Sequence, residues 1–513
     1  MSSSSRLPAN VLHFPHPVTT WTRQLQRKRR LMLVDGLQRA ALATALVALV
    51  RTLVSPAPFD YGESDTATWV WLLRHGQPIY GQLSTPSLRL SHYPPLQLWL
   101  VAKLAPSDGA ILFVARALSL CGLVTTALAA RLCVVRATGS TRAGWNAALL
   151  VATTAQLVYF GASGRADLFA LGLAALAMTT VALRVRGWPF AAALLFALAL
   201  LCKHNLVVLP LSVLAWSLWR QPRHAIAFGL TLAGIVAACV WRLQLFVPLV
   251  EWTHTGWRLS CFLSLMLSDV LPGALALVVV ARLVRNWRLV PERATAVLEP
   301  WLVACAIGGV WLLALARVGS SSNYLLEWLL AVAVTSTMAA QLGVGVRWQR
   351  LHVVAMSLLT LVKLVPLALV VMPRVESELA LAHAALATTS GPVLAERTWL
   401  ATAAGQPPVV IPFLSHQLAQ RHLWDEAPLI DLAQRKQLTR VLLDFSLAEA
   451  VPAQRHDDRF APALLTALRH NYVQTATVGE LHVYAPAPSD PPRTTDANAV
   501  AFSAPPSEIA PGP

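Results

Sequence analysis

The feature that most constrains this chain is a series of apolar runs. Several approach or exceed the roughly 20 residues that a helix needs to cross a hydrocarbon core. They begin near residue 38 and recur to about residue 372. Composition agrees: 56% of the 513 residues are hydrophobic and 13% are charged, against about 25% charged in ordinary soluble domains. Mean hydropathy is +0.55. The expectation is an all-α polytopic membrane bundle, to which a count of soluble domains by length does not apply.

The first span is read at about 38–56, followed by a polar to amphipathic stretch over 57–108. Further runs lie near 109–133, 144–161, 167–185, 189–202, 205–219, 225–243, 261–283, 299–317, 325–345 and 351–372. The region 189–219 reads either as one long helix or as two short ones. Charge decides between them. With two helices, Arg131, Arg136 and Arg142, Arg184 and Arg186, Arg220 and Arg223, Arg282, Arg285, Arg288 and Arg293, and Arg347 and Arg350 all fall in loops on one side. One helix would invert the cluster "RLVRNWRLVPER" to the opposite side, against the positive-inside bias. About 11 transmembrane helices follow, with a basic cytoplasmic segment over 1–36 containing "RQLQRKRR", no cleavable signal, and the C-terminus outside the cell membrane.

The net charge of +16 sits in those short loops, so it points to anionic lipid headgroups rather than nucleic acid. All six cysteines lie in or beside apolar runs and form no CxxC pattern, so neither a disulfide framework nor a zinc site is expected. Residues 391–487 change character. "PVLAE", "PVVIPF", "RVLLDFSL" and "ELHVYAP" read as strands, "LIDLAQRKQ" and "FAPALLTALRHNY" as amphipathic helices. This predicts a small extracytoplasmic α/β domain beyond a membrane domain over 37–373. Residues 488–513 are rich in Pro, Ser and Ala and are expected to be a disordered tail.

On this topology the extracytoplasmic loops hold nearly all the unusual polar residues. The first carries Asp60, Glu63 and Asp65 and continues to "LSHYPPLQLWL", where Pro94 and Pro95 fix an extended turn. Later ones carry "GASGRADLF", "CKHNLVVLP", "FVPLVEWTHTGWR" and "RVGSSSNYLLEW". Ionisable groups near membrane depth are costly and tend to be functional, so their shared side predicts a polar cavity. Singly, each has a structural alternative. The three acids fit a solvated loop. Arg165 and Asp167 fit a helix-start pair, Lys203 a snorkelling side chain, and His204 a hydrogen-bonded structural histidine. Glu251, His254 and Arg258 fit loop positions, and Tyr324 and Trp328 an interfacial aromatic belt.

The order "DYGESD", "GQPIYG", "YPPL", Arg165-x-Asp167, Lys203 before Pro210, and "GSSSNY" resembles that of membrane glycosyltransferases of the GT-C superfamily over roughly 38–372. The branch most similar holds the protein O-mannosyltransferases, of glycosyltransferase family 39, and the lipid A aminoarabinose transferases. The resemblance implies a sugar donor on a polyprenyl phosphate or diphosphate and a hydroxyl acceptor on a lipid, glycan or protein. Transfer would take place at the outer membrane surface, with an acid of the first outer loop as base. The chemistry asks for the same residue types: a carboxylate near the attacking hydroxyl and fixed cations for the departing phosphate. Arg165 and Lys203 fit that second role, with Arg258 as a third.

The resemblance also places Tyr93, Asp167, His204, Asn323 and Tyr324 among substrate-binding residues. The mannosyltransferases carry an adjacent Asp-Glu pair, whereas the acids here are spaced. Glu63 is the first choice as base, then Asp60, with Asp65 the third catalytic candidate. Spaced acids would also suit a divalent cation, but no cofactor or metal is expected to be required. A transporter or flippase for an anionic or lipid-linked substrate would use the same kind of cavity. No duplicated half or matched pair of broken helices supports that reading. A non-catalytic protein with this fold is the remaining alternative.

Overall fold

A computed structural model describes residues 17–80, 88–243, 245, 256–448 and 459–488. The expected positions Glu251 and His254, and the tail from 489 onward, lie outside the described residues. Among the described residues, five helices are long and apolar enough to cross a membrane: Met32–Val54, Asp108–Thr138, Pro222–Leu243, Glu292–Ala316 and Val346–Leu386. Two bent pairs, Ala155–Ala162 with Ala166–Ala182 and Phe262–Val270 with Gly273–Arg285, raise the number to seven if each counts as one span. The outward faces are apolar, with Leu230 71% and Trp241 80% exposed, as a lipid-facing surface requires and a water-facing one does not. The chain is a multi-pass membrane protein.

The helices that matter for the site are α1 (Pro17–Val54), α2 (Tyr61–Arg74), α3 (Pro95–Leu104), α4 (Ile111–Thr138), α5 (Thr141–Ala152), α6 (Ala155–Ala162), α7 (Ala166–Ala182), α8 (Trp188–Cys202) and α9 (Val208–Arg220). Residues 189–219 are thus two helices. Lys203 leaves the helical region at the C-cap of α8, with φ −149° and ψ 104°. The buried carboxylate of Glu327 accepts the backbone N–H groups of Val208 and Leu209 at 3.0 and 2.8 Å, which satisfies two orphan donors at the start of α9. The expected run 144–161 is broken at Thr153–Thr154 into α5 and α6, and the chain turns by 117° between α6 and α7. That turn lifts residues 163–165 clear of helix geometry and aims them at the site.

Small residues set the closest helix approach. A Cβ on Gly122 of α4 would lie 2.2 Å from the Leu168 carbonyl oxygen, and one on Gly172 of α7 would lie 2.9 Å from the Gly122 Cα. α4 and α7 therefore pack backbone to backbone, the mode small residues permit between apolar helices.

The expected run 351–372 belongs to a longer helical stretch, Val346–Leu386, that leads into the C-terminal domain. There a four-stranded sheet has the order β1-β2-β4-β3, from β1 (Val393–Ala395), β2 (Arg440–Leu443), β3 (Tyr472–Val478) and β4 (Leu481–Pro486). β1 and β2 are parallel, with Leu394 opposite Val441, and the other pairs are antiparallel.

Two readings of this region change. Among the described residues, "PVVIPF" forms isolated bridges, Val393 with Pro408 and Leu88 with Val410, and its prolines cannot donate to a ladder. Tyr472–Val478 is a strand, although all but Tyr472 of its residues are at least partly exposed, so it lacks the apolar alternation that marks a strand in sequence. The loop 57–108 and the C-terminal domain also share one apolar core, in which Trp69, Leu72, Leu88 and Leu98 join Leu394, Trp399, Ile411 and Val441. They form a single body.

Candidate functional site

The sequence D60-Y-G-E63 starts α2 with a variant of the capping box, in which the reach-back falls one residue before the N-cap. Asp60 at the N-cap accepts the Glu63 N–H at 2.7 Å, and Glu63 reaches back to accept the Phe59 N–H at 3.0 Å. Glu63 is wholly buried. It takes a bidentate ion pair from Arg116 of α4, at 2.7 and 2.9 Å, and the Gly164 N–H at 2.7 Å. Arg116 spends its other donors on the carbonyls of Thr52, Ser55 and Ala57, at 2.5, 2.6 and 2.7 Å. Glu63 and Arg116 thus lock the end of α1, the start of α2 and the 163–165 turn together. Glu63, first choice as base from the sequence, lines neither of the two cavities described next.

A cavity of about 590 Å³ opens beside this lock. Asp60, Tyr61, Asp65, Tyr159, Arg165, Lys363 and Arg459 contribute to its wall, as do Tyr93 and the turn Gly319–Ser322. Asp60 presents its second oxygen to the hydroxyls of Tyr159 and Ser163, both at 3.5 Å, while the oxygen that caps the helix lies 3.9 Å from the Arg165 guanidinium. Burial raises the Asp60 carboxyl above its ordinary range, and the Arg165 charge opposes the shift. Asp65 faces the other way round the helix and accepts the Thr398 hydroxyl at 2.8 Å. Burial pushes its carboxyl up to about 7, against that hydrogen bond and the charge of Arg459.

A second, smaller cavity of about 70 Å³ adjoins the first, and Arg165 and Tyr93 line both. Its wall gathers Lys203, His204, Arg317, Asn323 and Tyr324. Asp167 organises it: its carboxylate meets Arg165 Nε at 3.1 Å, Lys203 Nζ at 3.3 Å and Asn323 Nδ2 at 2.9 Å. The Lys203 ammonium lies 3.6 Å from the centre of the Tyr93 ring. Burial and the neighbouring Lys203 charge hold His204 down to about 3, so its imidazole is neutral. Arg165 and Lys203 pair with one carboxylate, Asp167, and Arg317 lines the same small cavity, an arrangement suited to an anion.

The structure therefore brings together Asp60, Asp65, Tyr93, Arg165, Asp167, Lys203, His204, Asn323 and Tyr324. Arg258, expected as a third phosphate-holding cation, lines neither cavity. Its backbone N–H is held by the Ala316 carbonyl at 2.5 Å, and Arg317, paired across a bridge with Trp257, stands at the site instead. Arg116, Lys363, Asp269 and Arg459 were missed. The first three are charges inside apolar runs, a signal in its own right; Arg459 carries no sequence signal. Among the described residues no group of three His, Cys, Asp or Glu side chains is placed to hold a metal ion.

No protein-family model matches the chain, and no curated protein matches it by sequence. Solved structures do share its fold. ArnT from Cupriavidus metallidurans bound to undecaprenyl phosphate superposes with a TM-score of 0.58 at 14% identity, covering 88% of this chain and 98% of that one. The apo state of the same protein gives 0.56 with the same coverage. AglB, the archaeal oligosaccharyltransferase from Archaeoglobus fulgidus, in complex with an inhibitory peptide and a dolichol-phosphate, gives 0.51 at 13% identity over 88% of this chain and 75% of that one. Both are GT-C superfamily proteins. The fold of this chain is accordingly the GT-C type, a helical membrane bundle carrying a small α/β domain.

Proposed function

We propose that this protein is a membrane glycosyltransferase that moves a sugar from a polyprenyl-phosphate donor to a hydroxyl acceptor. The observation that carries this reading is the shared wall at Arg165. A carboxylate, Asp60, faces the large cavity, and Arg165 stands beside it while also lining the cation-rich small one. The solved structures of like fold add to it, since one holds undecaprenyl phosphate and another a dolichol-phosphate.

In this reading the donor phosphate sits against Lys203, Arg165 and Arg317. The acceptor hydroxyl approaches the anomeric carbon from the Asp60 side. Asp60 takes the hydroxyl proton as the new C–O bond forms. The old C–O bond breaks, its electron pair stays with the lipid phosphate, and the fixed cations stabilise the developing charge. Attack opposite the leaving group inverts the anomeric centre. The raised Asp60 carboxyl suits a base, whose proton affinity must approach that of its task. The cavity and the C-terminal domain lie on the extracytoplasmic face of the inner or plasma membrane, the orientation that leaves the arginine-rich loops inside.

Purified protein given a polyprenyl-phosphate sugar tests the proposal. Asp60→Asn should lower transfer by roughly 100-fold or more, the usual worth of a positioned base. Full turnover by that variant would remove Asp60 from the reaction. Movement of the donor across vesicles without any sugar transfer would favour a transporter instead.

A further inference from the structure

Lys363 stands in an apolar helix, Val346–Pro366, where a charge is costly and by default functional. It is 31% exposed and lines the large cavity. Its counter-ion, Asp269, is 4% exposed and belongs to Met266–Val270, a π-helical segment of a kind frequent at functional sites. Asp269 does not depend on Lys363 for its place. Gln156 Nε2 donates to it at 2.8 Å and the Ser268 hydroxyl at 2.5 Å. A lysine ammonium has three N–H donors, and among the described residues Asp269 is the acceptor recorded for this one. The remaining donors belong to a group that borders open cavity.

The position is separate from the cluster described above. Gln156, which holds Asp269, precedes Tyr159 by three residues on α6, about 4.5 Å along the axis. Tyr159 is one of the residues that donate to Asp60. Lys363 does not line the small cavity, and neither Lys203 nor Arg317 lines the large one.

We propose that Lys363 is a second anion-binding pole of the large cavity, taking a phosphate other than the leaving-group phosphate, with Asp269 as its displaceable counter-ion. The ligand class rests on the glycosyltransferase reading. Two sources share the chemistry: the second phosphate of a polyprenyl diphosphate donor, and an acidic group on the acceptor.

Ligand binding to purified full-length protein, read by the shift in melting temperature and by native mass spectrometry, separates them. If the donor supplies the group, Lys363→Met weakens polyprenyl diphosphate on the order of tenfold and leaves polyprenyl monophosphate unchanged. If the acceptor supplies it, both lipids bind K363M as they bind wild type. Inorganic phosphate, added to protein saturated with the monophosphate, then loses a similar factor. Lys363→Arg should retain binding in either case, and Asp269→Asn should tighten it or leave it unchanged. Lys203→Met is the control for the underlying reading, because it should lose the monophosphate whatever happens at Lys363. Unchanged affinities in K363M for the diphosphate and for inorganic phosphate would overturn the proposal. So would an equal loss of melting temperature and binding in K363M and D269N, the mark of a purely structural pair.

Discussion

Replacing Glu63 by glutamine separates the two roles that the sequence leaves merged in the first loop. Glu63 and Arg116 are 0% and 1% exposed in their side chains. The carboxylate accepts four hydrogen bonds, two from Arg116 and one each from Gly164 and Phe59. An amide has one oxygen to offer, so some of those donors would face an N–H group. Arg116 would keep its charge without a counter-ion. Breaking a buried pair from one side costs about 3–5 kcal/mol, enough to consume a large part of a domain's stability. Asp60→Asn is the contrast, because asparagine caps a helix as well as aspartate does and stability should change by less than about 1 kcal/mol. Melting temperature and transfer rate, measured on both variants in detergent, form the assay. Glu63→Gln should lose stability and activity together, whereas Asp60→Asn should lose activity alone. Replacing both partners, Glu63→Leu with Arg116→Met, should recover part of the stability, since no buried charge is then left unpaired. A Glu63→Gln protein that melts like wild type yet transfers no sugar would refute this reasoning and return the base to Glu63.

Three further outcomes follow from the same geometry. Asp65 lies outside the spanning helices, and burial raises its carboxyl from 3.8 to about 7. The folded protein therefore holds a proton that the unfolded chain releases, and stability should fall as pH rises from about 4 to 7 and then level; Asp65→Asn should flatten that part of a plot of melting temperature against pH. Gly122→Val should prevent the α4–α7 contact, because even a Cβ at that position meets the Leu168 carbonyl oxygen at 2.2 Å, and folded yield on size-exclusion chromatography reports it. Arg165→Lys keeps a charge but loses the planar fork, so the donor KM should rise on the order of tenfold while the melting temperature changes little.

Much of the fold was legible because apolar periodicity and arginine placement are local signals. The split at Lys203, decided by counting arginines, is a split in the structure, and the caps that make it were not visible. Glu327 closes the start of α9 from 119 residues away, a pairing that no single stretch records. The cation cluster was legible in its residue types at Arg165 and Lys203. Arg317 was passed over for Arg258, because Arg317 forms the bridge with Trp257 that Arg258 adjoins, and sequence does not say which side chain faces the cavity. The shared core of the loop 57–108 and the C-terminal domain joins segments more than 300 residues apart, and it is what brings Arg459 to the cavity wall.

The three acids of "DYGESD" divide their roles by helix geometry. Successive residues of a helix turn by about 100°, so positions two apart point to nearly opposite sides. Glu63 and Asp65 are two apart, and on α2 one faces Arg116 in the bundle while the other faces Thr398 in the C-terminal domain. They cannot act on one substrate atom together. Asp60 precedes the helix as its N-cap, with an extended backbone at φ −137° and ψ 161°, and so is exempt from that periodicity. One oxygen caps the helix and the other is left toward Tyr159, Ser163 and the cavity. The spacing that made the base ambiguous in the sequence is what gives the three acids different places in the fold: Glu63 holds the loop, Asp65 meets the C-terminal domain, and Asp60 faces the large cavity.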